Sequence, residues 1–176
     1  MRRVVRREKP RVCRYGVVET ALGRFRVVVS SRGLLSVELK PDSLAALAKR
    51  LERALGAPVA LERDDRQPVL RQIAEYAARK RRRFQTPLDW SLVRGFQRRV
   101  LGELAKVRFG HTLSYGELAS RVGKPGAARA VGGAMAKNPI PLVVPCHRVL
   151  AAGNKIGGFG GGLPLKRALL SLEKSS

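Results

Sequence analysis

Cys146 and His147 stand side by side in the apolar run Pro139-Ile140-Pro141-Leu142-Val143-Val144-Pro145-Cys146-His147-Arg148-Val149-Leu150. A thiol attacks as thiolate, and its ordinary pKa of ~8.5 leaves it protonated at neutral pH unless a base or a cation is close. His147 offers the base and Arg148 the charge. Adjacent side chains of an extended backbone point apart, so His147 would have to act across a turn or through a water. Taken singly, both residues have a structural reading, because free cysteine is usually buried and a lone histidine is more often part of a core. The pair alone fits a cysteine protease or another hydrolase equally well. The remaining thiol is Cys13, and the other histidine is His111. Two cysteines make no disulfide framework and the spacing suits no zinc site, so a structural metal site built from Cys and His is not expected. Residues 157–162 are glycine-rich, but no Gly-Lys-Ser/Thr follows and a phosphate loop is discarded.

The elements that must position this pair fall into two groups. Val17-Val18-Glu19-Thr20, Phe25-Arg26-Val27-Val28-Val29 and Leu34-Leu35-Ser36-Val37-Glu38-Leu39 read as strands of a hairpin meander, with Gly23 and Gly33 in the connections. Leu44, Leu47, Leu51 and Leu55 predict one buried helix face, and Pro68 opens a second helix with Leu70, Ile73 and Ala77 on one side. That helix is expected to end in Arg79-Lys80-Arg81-Arg82-Arg83, where cations suit a C-terminus. Pro87-Leu88-Asp89 breaks the pattern, placing a domain boundary between residues 1–87 and 88–176. Beyond it, Phe96, Val100, Leu104 and Val107 predict a helix over about residues 94–106. Ser114 and Glu117 form a capping box opening a short helix through Arg121. After Gly123-Lys124-Pro125-Gly126, a second helix rich in Ala and Gly spans residues 127–136 and stops before Pro139. Two short helices across a glycine turn read as helix-turn-helix, although any close-packed helical hairpin shares the spacing. The expected class is α+β: a three-stranded antiparallel meander with helices, followed by a mostly helical part.

Composition narrows the partner. Lys and Arg number 36 against 13 Asp and Glu, a formal charge of +23. Residues 1–88 hold 22 basic and 9 acidic side chains, and residues 89–176 hold 14 and 4, so the excess is not confined to a tail. Such a balance points to a polyanion, most often nucleic acid. Heat adaptation through ion-pair networks would need an acidic complement that is missing. At 44% hydrophobic the chain can bury a core. No apolar run approaches the ~18 residues of a membrane span. The basic start, MRRVVRREKPRVCR, is followed by no apolar signal segment, so an intracellular, cytoplasmic location is expected.

Asn138-Pro139, Pro145-Cys146-His147-Arg148-Val149, Ser114-Tyr115-Gly116-Glu117 and Ala127-Ala128-Arg129-Ala130-Val131-Gly132-Gly133-Ala134-Met135 together resemble the O6-alkylguanine-DNA alkyltransferase family. The likeness continues through Gly161-Gly162-Leu163 and Lys166 to Glu173, covering most of residues 88–174. The first 87 residues are similar to the family's small α/β domain only in arrangement. What the resemblance implies is DNA repair by direct reversal, in which an alkyl group passes irreversibly from guanine O6 in duplex DNA to the sulfur of Cys146. The damaged nucleotide would be flipped out of the stack. Ala127, Ala128 and Gly132 would let the second helix approach the minor groove, and Arg129 would fill the vacated stack. Tyr115 would turn the flanking phosphate and protonate the departing guanine. His147, oriented by Glu173 and bridged by water to Cys146, would take the thiol proton, and Asn138 would hold the helix-turn-helix against the active-site segment. Met135, Pro141, Val149, Phe159 and Gly160 would line the alkylguanine pocket. No cofactor is implied, and a monomer is expected.

In two places the sequence departs from the family. Phe159-Gly160 stands where relatives often carry Tyr-Ser or Tyr-Ala, leaving the Gly160 amide to serve the guanine, and the zinc ligands of some relatives are missing. Two rival classes are a DNA-binding module without catalysis, against which the presence of Cys146 argues, and a Cys-His hydrolase, which would need an oxyanion hole and would turn over.

Overall fold

The computed structural model describes residues 10–174; the basic start of the chain, residues 1–9, lies outside them. β1 (Arg11–Thr20), β2 (Gly23–Ser30) and β3 (Gly33–Glu38) form the expected antiparallel meander. Phe25 to Val28 of β2 are buried on both faces, which suits a central strand covered on two sides. A fourth strand, β4 (Val59–Arg63), runs parallel to β1 and gives the order β3-β2-β1-β4. This edge strand was not legible in the sequence, because its side chains are no more than half-buried and show no alternation.

α1 (Leu44–Leu55) connects β3 to β4, capped by the Ser43 hydroxyl at one end and by left-handed Gly56 at the other. Leu47 and Leu51 pack with Cys13, Val28 and Leu35. Leu44, expected on that face, is instead exposed at the first turn. Cys13 is thus a core residue, and burial pushes its thiol pKa up. α2 (Pro68–Ala77) buries Val69, Leu70, Ile73 and Tyr76. It stops short of the basic run, contrary to expectation: Arg79 turns left-handed, with φ 60°, and ends the helix before the charges.

The second half holds α3 (Gly95–Leu104), β5 (Leu113–Ser114), α4 (Tyr115–Arg121), α5 (Ala128–Ala136), β6 (Val149–Leu150) and α6 (Leu163–Lys174). α3 is shorter at both ends than the spacing predicted, and α5 begins one residue later, with Ala127 as its N-cap. The capping box at Ser114 and Glu117 forms in both directions. α4 and α5 meet across Gly123 and Gly126, both at positive φ, which makes the helix-turn-helix.

One hydrophobic cluster joins Phe25, Val27 and Leu34 of the sheet to Tyr76, Leu101, Val131 and Leu169 of the helices. The break at Pro87-Leu88-Asp89 is therefore a seam in the chain with apolar packing running across it. β3 holds that seam: Leu34 N donates to Pro87 O at 2.8 Å and its carbonyl accepts from Asp89 N at 2.9 Å. Gly33 is needed there, since a Cβ would lie 2.3 Å from Pro87 O and φ is 131°. β3 also reaches the active-site segment, where Val37 N donates to Pro139 O at 2.8 Å.

Candidate active site

The segment from Asn138 to Pro145 is a rigid bracket. Pro139, Pro141 and Pro145 restrict its backbone. Asn138 clamps it from inside, donating from Nδ2 to Val144 O at 2.9 Å and accepting from Ile140 N at Oδ1, 3.0 Å. Leu142 sits at φ 71° with its side chain buried, a conformation that persists only where the surroundings hold it. The bracket delivers Cys146 into a single 3₁₀ turn, Cys146–Arg148, with Cys146 N donating to Val144 O. The backbone at this point is thus a turn, one of the two arrangements that adjacency allowed.

Cys146 is buried, and burial pushes its thiol pKa up. Opposing this are a hydrogen bond from Asn138, the backbone N–H groups of Cys146 and His147, and the charge of Lys166. The cation that acts on the sulfur is therefore Lys166 and not Arg148. Lys166, fully buried on α6, donates to Val149 O at 2.7 Å and Gly158 O at 3.3 Å, tying β6 to the glycine-rich loop. The Arg148 guanidinium is turned elsewhere: it grips both carboxylate oxygens of Glu173 at 2.8–3.2 Å and donates to Val107 O.

His147 is wholly buried. Its Nε2 lies 2.9 Å from Glu173 Oε1, while Nδ1 has no partner. Burial lowers the His147 pKa more than Glu173 raises it, so the ring is neutral at pH 7. Glu173 is opposed by burial but held well below the usual carboxylate range by hydrogen bonds from His147 and Arg148. An ionised Glu173 can only accept, so the proton is assigned to Nε2 and Nδ1 is left as a free base. Glu173 also accepts from Gly110 N at 3.1 Å and from the Tyr76 hydroxyl at 2.5 Å. Burial and the Glu173 charge push Tyr76 up, keeping it a donor. The sequence did not disclose this role of Tyr76. It is 97 residues from Glu173 along the chain, and only its place on the buried face of α2 could have suggested it.

Above Cys146 opens a cavity of about 350 Å³, walled by Tyr115, Gly132, Met135, Ala136 and the loop from Gly158 to Gly160. Met135, Phe159 and Gly160 are there as expected. Pro141 and Val149 are not on this wall: both are buried, and the Val149 carbonyl accepts from Lys166. The Tyr115 ring passes between Gly132 and Gly157, where an added Cβ at either would lie 3.6 Å from it. Burial raises its hydroxyl pKa, and the Cys146 charge adds to this.

On α5, Val131 and Met135 face inward and Ala127, Ala128 and Gly132 are half-buried. The exposed strip is Arg129, Ala130, Gly133, Ala136 and Lys137, offset from the small residues expected to meet a groove. A Cβ on Gly133 would meet nothing within 4 Å. Arg129 makes no ion pair among the described residues. Gln97 of α3 donates to Ala134 O and Lys137 O, satisfying carbonyls at the end of α5.

Residues 95–175 match the family described as 6-O-methylguanine DNA methyltransferase, DNA binding domain. The methylated-DNA–protein-cysteine methyltransferase of Mycobacterium tuberculosis is 51% identical over 106 residues, which are 59% of this chain and 62% of that protein. The inducible enzyme of the same name from Bacillus subtilis is 32% identical over 151 residues, 85% of this chain and 84% of its own. Among solved structures, the Mycobacterium tuberculosis O6-methylguanine methyltransferase superposes with a TM-score of 0.77 at 35% identity, covering 93% of both chains. A structure of the same organism's protein in complex with DNA gives 0.76 at 36%. With both halves matched and the Cys146-His147-Glu173 array in place, the chain belongs to the methylated-DNA–protein-cysteine methyltransferase family.

Proposed function

We propose that this protein repairs duplex DNA by taking an alkyl group from guanine O6 onto Cys146, once per molecule. The observation that supports this most is the state of His147: neutral, fixed through Nε2 by Glu173, with a buried unpartnered Nδ1 one residue from the thiol. Such a nitrogen draws off the Cys146 proton through one bridging water. The thiolate attacks the alkyl carbon, the carbon–oxygen bond to guanine breaks, and a thioether forms. The guanine takes a proton as it leaves, for which the Tyr115 hydroxyl, on the cavity wall, is the candidate donor.

The cavity accepts a base only if the nucleotide leaves the stack, which costs a few kcal/mol. The exposed strip of α5 is shaped for close approach to a groove, with Arg129 as the side chain that takes the emptied place. A thioether has no leaving group for water to displace under mild conditions, so the reaction ends with the protein spent. We assign the same reading to a monomer acting in the cytoplasm. The test is incubation with a duplex carrying one O6-methylguanine, followed by peptide mass analysis. One methyl per protein on the Cys146 peptide is expected; repeated turnover, or an unmodified Cys146, overturns the reading.

A further inference from the structure

A second cleft, of about 400 Å³, lies between β3 and α1 and includes Asn138 and Pro139 in its wall. Its volume is within the ~300–1,000 Å³ of small-molecule sites, and it sits where two halves of a chain meet, as such sites often do. Leu47, Leu51, Ala54, Leu92 and Pro139 make the walls largely apolar. Of the polar side chains on the walls, Glu38 is paired with Arg26 and Arg50, Asn138 is bonded to the bracket, and two others stand out. Ser36 is more than nine-tenths buried on this wall, and its hydroxyl has no partner. Arg53, exposed in the last turn of α1, makes no ion pair among the described residues, whereas Arg50 beside it is taken up by Glu38 and Asp42.

A buried hydroxyl without a partner is costly unless something bonds it. A free guanidinium at the rim suits a carboxylate, which it can grip with two parallel hydrogen bonds. At roughly 30 Å³ per heavy atom, the volume of a water in the liquid, the cleft holds about a dozen of them. We propose that this cleft binds a small hydroxyaryl carboxylic acid, its carboxylate on Arg53, its ring among the leucines and its hydroxyl on Ser36, and that occupancy is felt at Cys146. The route is short. Pro139 is pinned to β3 through Val37 N, and the neighbouring Asn138 clamps the bracket and reaches the thiol. A filled cleft stops Pro139 from moving inward and holds Asn138 in place, so the sulfur becomes more reactive.

The binding half of this inference does not depend on the alkyl-transfer reading, and its test uses no DNA. Titrate the intact protein calorimetrically with 3-(4-hydroxyphenyl)propionate and with 3-phenylpropionate. One saturable site is expected, weakened about tenfold by Ala54→Phe, which fills the cleft, and by Arg53→Gln, but unchanged by Arg83→Gln, an exposed cation elsewhere. The hydroxyl-bearing acid should bind several-fold tighter in the wild type and not in Ser36→Ala. Iodoacetamide labelling of the Cys146 peptide should then quicken at saturation in the wild type and stay constant in Ala54→Phe. Absence of saturable binding, or binding indifferent to Ala54→Phe, overturns the site; binding without a change at Cys146 overturns the coupling.

Discussion

Cys146 is the residue on which the proposed chemistry turns, and its neighbours would divide the labour. Asn138 and Lys166 favour the thiolate, His147 is the base of the proposed reaction, and Glu173 fixes its ring with help from Tyr76 and Arg148. Replacing Cys146 by Ala should abolish alkyl transfer while leaving duplex binding intact in a gel-shift assay, whereas Cys13→Ala should leave transfer unchanged. Transfer surviving the first change, or lost with the second, would mean that the wrong thiol has been chosen. Glu173→Gln tests the buried array. The Arg148 guanidinium would be left without its anion, and breaking such a pair costs about 3–5 kcal/mol. A loss of less than ~1 kcal/mol of unfolding free energy, measured by urea denaturation, would refute that account.

The pH dependence follows from the same two groups. His147 and Glu173 both have folded pKa values below their unfolded ones. The unfolded chain therefore binds protons first, below ~6.5 for histidine and below ~4.3 for glutamate. Stability should hold at neutral pH, begin to fall as the pH drops through about 6.5, and fall further below about 4.3.

At the scale of elements, two pieces of different build serve the cavity: the bracket that leads to Cys146 and α5 on the wall. The bracket of residues 138–145 is braced by proline, by Asn138 and by Leu142 at positive φ. α5 is by contrast a short helix of small residues, held at its end by Gln97 and carrying Arg129 outward. Arg129→Ala should slow transfer from duplex more than transfer from free O6-alkylguanine base, because the free base has no stack to leave. A loss of ~1–2 kcal/mol of transition-state stabilisation means roughly five- to thirty-fold slower repair of duplex. Single-turnover rates on both substrates decide it: equal slowing would place Arg129 in support of the pocket and withdraw it from base flipping.

For the whole molecule, the dominant physical fact is a charge of +23 spread over both halves. Among the described residues few of these cations are paired, and the ion pairs cluster on the N-terminal half, around Glu38, Asp42 and Glu75. Among the described residues no helix is long and apolar enough to cross a membrane. Affinity for duplex DNA should therefore fall steeply with salt and depend little on base sequence, each neutralised phosphate contributing about −0.9 to the slope of log K against log salt. Fluorescence anisotropy at several salt concentrations measures it, and a flat response would remove the electrostatic argument.

Local patterns carried a large share of this protein's description. The meander, the Ser114–Glu117 capping box, the helix-turn-helix and the Cys146-His147 pair were all legible, because each rests on residues a few positions apart. So was the link from His147 to Glu173, but only through resemblance. What local pattern could not supply was anything set by distant partners. β4 exists because β1 offers it an edge. α2 ends where Arg79 turns, before the charges that seemed to mark its end. Tyr76 joins Glu173 across 97 residues. Arg148, adjacent to the pair in sequence, turns to Glu173, and the buried Lys166 supplies the charge at the sulfur. The physical reason is common to these cases. Backbone propensity and periodicity are short-range, whereas the desolvation that forces a buried charge, hydroxyl or ring nitrogen to find a partner acts only after the chain has closed around it.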